Sequence, residues 1–440
     1  MTWWRIIDGI PHAERDAMIV DVQGQALSVL SKLAQADWPD RLKVRKSFEK
    51  LVYSGSRASF RLAAGRASNK PRPAADDLFD LSLTEEQQML VDMLQGFALE
   101  ILRPAAHEAD AQAHVPAALI NQAHELGLAH YGVAEAQGGL AGERTVLSNA
   151  LIAESLAQGD FSLATALLVP LSAANCIRRW GNYAQQSAWL PAFVSEQGAP
   201  GFALAVTEPG VLTDAGQPAT RARKRGKHYL LDGEKALVIA GLDASQLIVS
   251  ARAGDGPALF IVDAASKGVS RRAEPAMGLK ACGLTRIELK SVKVSSECRL
   301  AGDGFDFPAF LDYSALAFCA LAVGTAQAAL DYVTTYCNER QAFGEPISHR
   351  QGVAFMVADI AIELDAMRLL LWRACARAEA GLSFRREAYL ARLLCAERAM
   401  KIGSDAVQLL GGHGFTQEHP VERWYRDLRS VAVLAGGLHL

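Results

Sequence analysis

The chain has 440 residues, half of them hydrophobic and 21% charged, with a formal net charge of −3. That length supports a large core and more than one structural unit, and the balance is that of a folded protein rather than a disordered one. Near-neutral charge leaves no electrostatic footprint for nucleic acid, so no nucleic-acid partner is expected.

Seven cysteines (Cys176, Cys282, Cys298, Cys319, Cys337, Cys375, Cys395) are scattered with no C-x-x-C pair, which argues against a disulfide framework and a zinc site. The opening MTWWRIIDGIPHAERD carries acids and a proline where a secretory signal needs an apolar run, so a cytoplasmic protein is expected. From Leu316 to Leu330 the chain is apolar, with Gly324, Thr325 and Gln327 inside the stretch. It reads as a buried bundle helix, with a membrane span as the competing possibility.

Residues 1–75 read as a helical extension that closes in the linker NKPRPAADD. Within it, residues 41–72 hold ten Lys/Arg against one acid, Glu49, interleaved with Phe48, Leu51, Tyr53 and Phe60. Such a stripe is a solvated basic face, or else a peripheral contact with an anionic membrane. Residues 76–200 read as an α domain: Thr84 stands where a helix cap belongs, ahead of Glu85 and Glu86, and helical periods recur over 117–130, 145–157 and 163–180.

The texture changes over 201–303 to short β-rich runs, FALAV, HYLLDG, KALVIA, QLIVSAR and ALFIVD. Over 304–440 the helical period returns in three long segments, 313–339, 351–379 and 384–411, which predict an antiparallel bundle. The fold expected is therefore mainly α with a central β domain, a barrel or sandwich, between an N-terminal helical domain and a C-terminal four-helix bundle.

Four motifs sit at matching places in this layout. VTEPGVLTD (206–214) offers hydroxyls at Thr207 and Thr213 on a turn, a donor set suited to phosphate. GEKALVIAG (233–241) is an apolar strand. NERQAFGEPISHRQ (338–351) carries Arg340, Phe343, Gly344 and Gln351, and a guanidinium fork suits pyrophosphate. DAVQLLGGHGFTQEHPVERWYRD (405–427) carries Gln408 and the pair Gly411–Gly412, where the absence of side chains allows close approach of a ligand. His413 and His419 in this last motif have no third partner at metal-ligand spacing and read as loop histidines, so no metal is expected.

From about Leu83 onward these motifs and their order resemble the acyl-CoA dehydrogenase family. The resemblance implies FAD between the β domain and the bundle, with Thr207 and Thr213 near it. It implies further that Arg340 and Phe343 reach the flavin of a neighbouring subunit, that Gln351 and Gln408 belong to the cofactor site, and that Gly411 and Gly412 approach the adenosine-diphosphate part. An acyl-CoA thioester beside the ring, a tetramer or a hetero-oligomer with a related subunit, and an electron-transfer flavoprotein as acceptor are implied too. Departures are local: Leu212 replaces a family glycine, and Leu237, Ile239 and Ala240 replace an aromatic, a hydroxyl and an amide at the ring.

Dehydrogenation needs a carboxylate to take the α-proton while hydride leaves the β-carbon. The two positions from which relatives supply it are here Ala435 and Ser314, so no catalytic base is identified. Asp312 lies where relatives touch acyl-CoA, and the backbone N–H of Ala435 can still polarise a thioester carbonyl. A dehydrogenase is expected. The alternatives are an incomplete partner that completes the flavin site of a glutamate-bearing sibling, and a protein that binds acyl-CoA or flavin without turnover.

Overall fold

The computed structural model describes residues 82–142, 145–210, 213–300 and 304–440. The basic stripe 41–72, the linker after it and Leu212 lie outside these residues.

Thr84 caps α1 (Glu85–Phe97) reciprocally: its hydroxyl accepts from Gln87 N at 3.1 Å, and the Gln87 amide accepts from Thr84 N at 3.1 Å. A π turn, Ala98–Leu102, leads into α2 (Arg103–Gln112) just ahead of Pro104, which lacks the donor an unbroken ladder needs. The helix expected to reach His130 stops as α3 (Ala117–Glu125), because Gly127 turns left-handed at φ 68° and starts a 3-10 turn. After α4 (Thr145–Ala157), the period over 163–180 proves to be two helices, α5 (Phe161–Leu167) and α6 (Val169–Trp180), bent by 45°. Pro170 sits in the first turn of α6, where its missing N–H does no harm. The short α7 (Tyr183–Trp189) completes the helical domain.

The β domain is one eight-stranded sheet in the order β6-β7-β3-β2-β4-β5-β8, with β1 (Phe202–Ala205) parallel to β4 (Gln246–Ala253). HYLLDG and KALVIA, read as two runs, form a single strand, β3 (His228–Val238), whose register shifts at Gly233 and before Val238. The remaining strands are β2 (Arg221–Arg225), β5 (Gly256–Asp263), β6 (Val269–Ala273), β7 (Thr285–Ser295) and β8 (Arg299–Leu300). Alternation along β1 sends Ala203 and Ala205 into the sheet's own core and Phe202, Leu204 and Val206 into the helical core. The end of β1 therefore sits where the two cores meet.

The bundle starts at Phe307 rather than Tyr313, because Asp306 caps α8 (Phe307–Glu339) by accepting from Ala309 N at 3.1 Å. α9 (Gln351–Glu379) and α10 (Arg385–Leu410) pack on it, α4 lies beside them, and α11 (Val421–Leu428) follows on α10. By length and composition α8 is apolar enough to cross a membrane, yet 78% of its most apolar window is buried inside the protein. Gly324 explains the close packing: a Cβ there would lie 2.0 Å from the Glu154 carbonyl oxygen of α4.

Charge is buried where α11 meets the N-terminal domain. Arg423 Nε donates to Asp160 Oδ2 at 2.9 Å, and Asp160 also caps α5 through Leu163 N. Asp427 is wholly buried; its Oδ1 accepts from Leu279 N at 2.6 Å and its Oδ2 has no partner. Burial, with Asp160 nearby, pushes the Asp427 carboxyl up to about 8. The folded state thus binds a proton that the unfolded chain gives up near pH 4, so this contribution to stability is full below about pH 4 and is lost as pH rises through about 8. Denaturant unfolding of Asp427→Asn between pH 4 and 8 is expected to lose that part of the slope; a slope identical to that of the unsubstituted chain would contradict it.

Candidate functional site

The site grows from the end of β1. Lys235 on β3, fully buried, donates from Nζ to Val206 O at 3.3 Å, Glu208 Oε1 at 2.8 Å and Ser250 Oγ at 2.9 Å. Burial brings its ammonium down to about 8 against the opposing pull of Glu208. Burial alone would raise Glu208, but Lys235 and further hydrogen bonds hold it below the ordinary carboxylate range. Glu208 also accepts from Ala219 N at 2.6 Å and Thr220 N at 2.8 Å, so the loop after Thr207 is pinned at both ends.

Thr207 faces the segment after α11. Its hydroxyl donates to Ala435 O at 2.8 Å, and Ala435 N donates in return to Thr207 Oγ1 at 3.4 Å. Gly436 is required beside it: it has φ 74°, and a Cβ would fall 2.3 Å from Val206 Cγ1. Around this contact lies a cavity of about 270 Å³ lined by Thr207, Thr213, Leu311, Arg392, Val433 and Ala435, among others. Arg392 Nη2 reaches Leu434 O at 3.4 Å. The sequence motifs missed this arginine, which sits mid-helix in α10 with no local pattern to mark it.

Ala435 and Ser314, the two positions at which the resemblance implies a base, carry no ionisable side chain. Ser314 is buried on α8 with its hydroxyl unpartnered. Asp312 does not line the cavity, although Leu311 next to it does. Burial raises the Asp312 carboxyl to about 6, Arg385 opposing and Asp306 assisting. Beyond Ala435 the chain is buried to Leu440, and His439 stacks on Tyr313 at 5.1 Å. His439 Nε2 accepts from Trp180 Nε1 at 2.9 Å, so its proton sits on Nδ1 against Leu440 O at 2.7 Å. Burial and Arg179 keep it neutral, and both nitrogens are engaged.

The second group of predicted residues gathers at the other end of α8. Arg340 ends that helix, and β9 (Gln341–Ala342) and β10 (Glu345–Pro346) form a hairpin whose two turn residues, Phe343 and Gly344, both have positive φ. A phenylalanine in that conformation is strained, and it holds its ring 96% exposed. Gln351 opens α9, and Gln408, Gly411 and Gly412 are exposed where α10 ends. A hydrogen bond from α8 to the glycine turn, between Tyr336 and His413, brings the two clusters together. His413 and His419 stack on each other at 5.5 Å. Arg426 and Asp427, by contrast, are structural: Arg426 Nη2 binds Asp110 Oδ2 at 2.9 Å.

Hydroxyls and a guanidinium at a half-open cavity, with a solvent-facing arginine, phenylalanine and glycine turn at a distance, suit a long ligand carrying phosphate groups. The strip between Leu237, Leu279, Val433 and Leu434 adds an apolar cleft of about 130 Å³. A ligand with phosphate groups and an apolar face fits these donors and this cleft; of Leu237, Ile239 and Ala240 only Leu237 lines the cleft, and its N–H donates to Glu274 Oε2 at 2.6 Å.

The β domain and the bundle both contribute residues to this region. The acyl-CoA dehydrogenase N-terminal, middle and C-terminal domain descriptions match residues 84–197, 203–292 and 302–438. The short-chain specific acyl-CoA dehydrogenase of Bos taurus mitochondria is 32% identical over 366 residues, 81% of this chain and 88% of that one. Butyryl-CoA dehydrogenase from Megasphaera elsdenii superimposes with a TM-score of 0.74 at 30% identity, covering 82% of this chain and 96% of that one. A structure described as electron transferring flavoprotein of Acidaminococcus fermentans gives the same score, identity and coverage. The chain belongs to the acyl-CoA dehydrogenase family.

Proposed function

We propose that the protein is an FAD-dependent dehydrogenase that introduces an α,β double bond into an acyl-CoA thioester. The observation carrying this is the convergence of Thr207, Thr213, Arg392 and the Ala435 peptide on one cavity. A thioester carbonyl entering there takes the Ala435 N–H, which now spends itself on a long contact with Thr207. Thr213 and Arg392 supply donors for the phosphate-bearing portion. Bound FAD supplies the hydride acceptor. Arg340, Phe343, Gln351, Gln408, Gly411 and Gly412 stand exposed for the adenosine-diphosphate part of a cofactor held by a neighbouring copy. Phe355, Ile362 and Leu369, exposed at seven-residue spacing on α9, suit an oligomeric contact.

Asp312 lies outside the cavity and is at most a contact for the acyl-CoA, so no residue is assigned to the α-proton. An electron-transfer flavoprotein is the proposed acceptor and the cytoplasm the proposed location, consistent with seven free cysteines. Incubation with acyl-CoA thioesters and an artificial electron acceptor is expected to yield enoyl-CoA, seen as a two-dalton loss by mass spectrometry. Intact thioester across the panel would refute the proposal. Asp312→Asn is expected to weaken acyl-CoA binding while leaving kcat little changed, and a fall of about 10²-fold or more in kcat would instead make Asp312 the base.

A second proposal is favoured by one observation, Ala435 in place of a base beside an intact exposed cradle: a partner subunit whose Arg340 and Gln408 complete a glutamate-bearing sibling's site. Co-expression with such a relative is expected to give a mixed oligomer if that holds, and separate homo-oligomers if it does not.

A further inference from the structure

The cavity beside Ala435 offers donors to a thioester and its phosphates but no recess for an alkyl chain. Thr207, Glu208, Thr213, Asp214 and Arg392 make much of its wall polar, and no residue of α5 or α6 lines it. The apolar groove that adjoins it, between α6 and α8, is filled by residues 437–440 of the chain itself. Phe310, Ser314 and Phe318 follow one another at four-residue spacing on α8 and so share one face of the helix, and the segment crosses that face. A Cβ on Gly437 would lie 3.5 Å from Phe318 Cζ and 3.0 Å from Ile239 Cδ1, and the His439 ring packs on Phe310 at 5.5 Å. Ser314, between the two phenylalanines, is sealed with its hydroxyl unpartnered.

From the other side α6 pins the segment. Trp180 Nε1 donates to His439 Nε2 at 2.9 Å, and Asn175 Nδ2 donates to His439 O at 3.4 Å. The His439 ring also stacks on Tyr313 of α8 at 5.1 Å, so one side chain ties the segment to both helices. Leu438, His439 and Leu440 are at most 4% exposed, so little of them is left to water.

We infer that residues 437–440, held by Trp180 and Asn175, are the specificity-determining wall of the acyl site, ending it just past the β-carbon and restricting the protein to short acyl groups. The inference rests on the dehydrogenase proposal above and names the acyl class that it leaves open. A thioester whose carbonyl takes the Ala435 N–H has its alkyl chain directed at this wall or at polar cavity. A longer chain must displace the segment, exposing Leu438 and Leu440 and stripping Trp180 and Asn175 of their acceptors, or leave its methylenes among hydroxyls, acids and water. Ser314 lies beneath the same wall, so the reacting carbon is approached from the Ala435 side.

The test is anaerobic titration calorimetry of the full chain, supplied with FAD, against butyryl-CoA, hexanoyl-CoA and octanoyl-CoA. In an open apolar groove affinity climbs about fourfold with each methylene buried. Here the climb is expected to stop at butyryl-CoA, with octanoyl-CoA bound about tenfold or more weakly, the size of an overpacking penalty. His439→Ala is expected to reverse that order and make octanoyl-CoA the tighter ligand. Trp180→Phe, which keeps an aromatic ring and removes the donor to His439, is expected to move the order the same way by a smaller factor. Affinity that climbs with chain length in the unsubstituted chain overturns the wall while leaving acyl-CoA binding standing. So does an equal loss for every thioester in both variants, which is what destabilisation alone would give. Absence of binding by all three thioesters overturns the dehydrogenase proposal and the wall with it.

Discussion

An Ala435→Glu variant is expected to reduce its flavin about 10²–10⁴ times faster than the unsubstituted chain on mixing with acyl-CoA, the usual contribution of a positioned general base. Residue 435 is partly exposed and lines the cavity of about 270 Å³, so a glutamate side chain has room to extend toward a bound thioester. Its backbone already stands at the right place, tied to Thr207 by the 2.8 Å bond from the hydroxyl to its carbonyl. Gly436, wedged against Val206, keeps that peptide from shifting when the side chain grows. Rapid-mixing absorbance under anaerobic conditions checks this. A variant no faster than the parent would mean that the α-proton already leaves efficiently by another route, and that Ala435 is no deficit.

The second large effect concerns stability. Arg423→Met is expected to cost about 3–5 kcal/mol in denaturant unfolding at neutral pH, the cost of stripping one partner from a buried ion pair. Arg423 and Asp160 are both almost fully buried, and Asp160 stands between the cap of α5 and the domain contact made by α11. Without the guanidinium, Asp160 is left beside the buried Asp427, already raised by the presence of Asp160 itself. Burial outweighs Arg423 in setting the Asp160 carboxyl above its ordinary range, so the loss is expected to shrink on acidification, where the orphaned carboxyl takes a proton. A loss below about 1 kcal/mol, as for a surface pair, would show that water reaches the pair.

Much of the fold could be read directly from the sequence where local chemistry and tertiary packing agree. Thr84 announces its helix and caps it; the β-rich runs FALAV and QLIVSAR are β1 and β4. Boundaries failed where a single residue redirected the chain, as Gly127 ends α3 and Asp306 starts α8 early. Each motif is contiguous, so its residues stay together in the structure, Thr207 and Thr213 at the cavity and Arg340, Phe343 and Gly344 at the hairpin after α8. Arg392, Lys235 and the Tyr–His pairs became visible only when distant segments met: Arg392 is 42 residues from the carbonyl it touches, and Tyr332 is 87 from His419. Asp427, in the same motif as Gln408 and Gly411, is buried and accepts from Leu279 N away from the cavity, a structural role that its place in the motif does not announce.

The visible spectrum of the purified protein, recorded before and after anaerobic addition of a panel of acyl-CoA thioesters, tests most directly whether this is a flavin-dependent dehydrogenase. An oxidised flavin spectrum that bleaches, slowly for want of a base at residue 435, is the expected result. A protein that carries no flavin and takes up none when FAD is supplied, or whose flavin stays oxidised with every thioester, would contradict it.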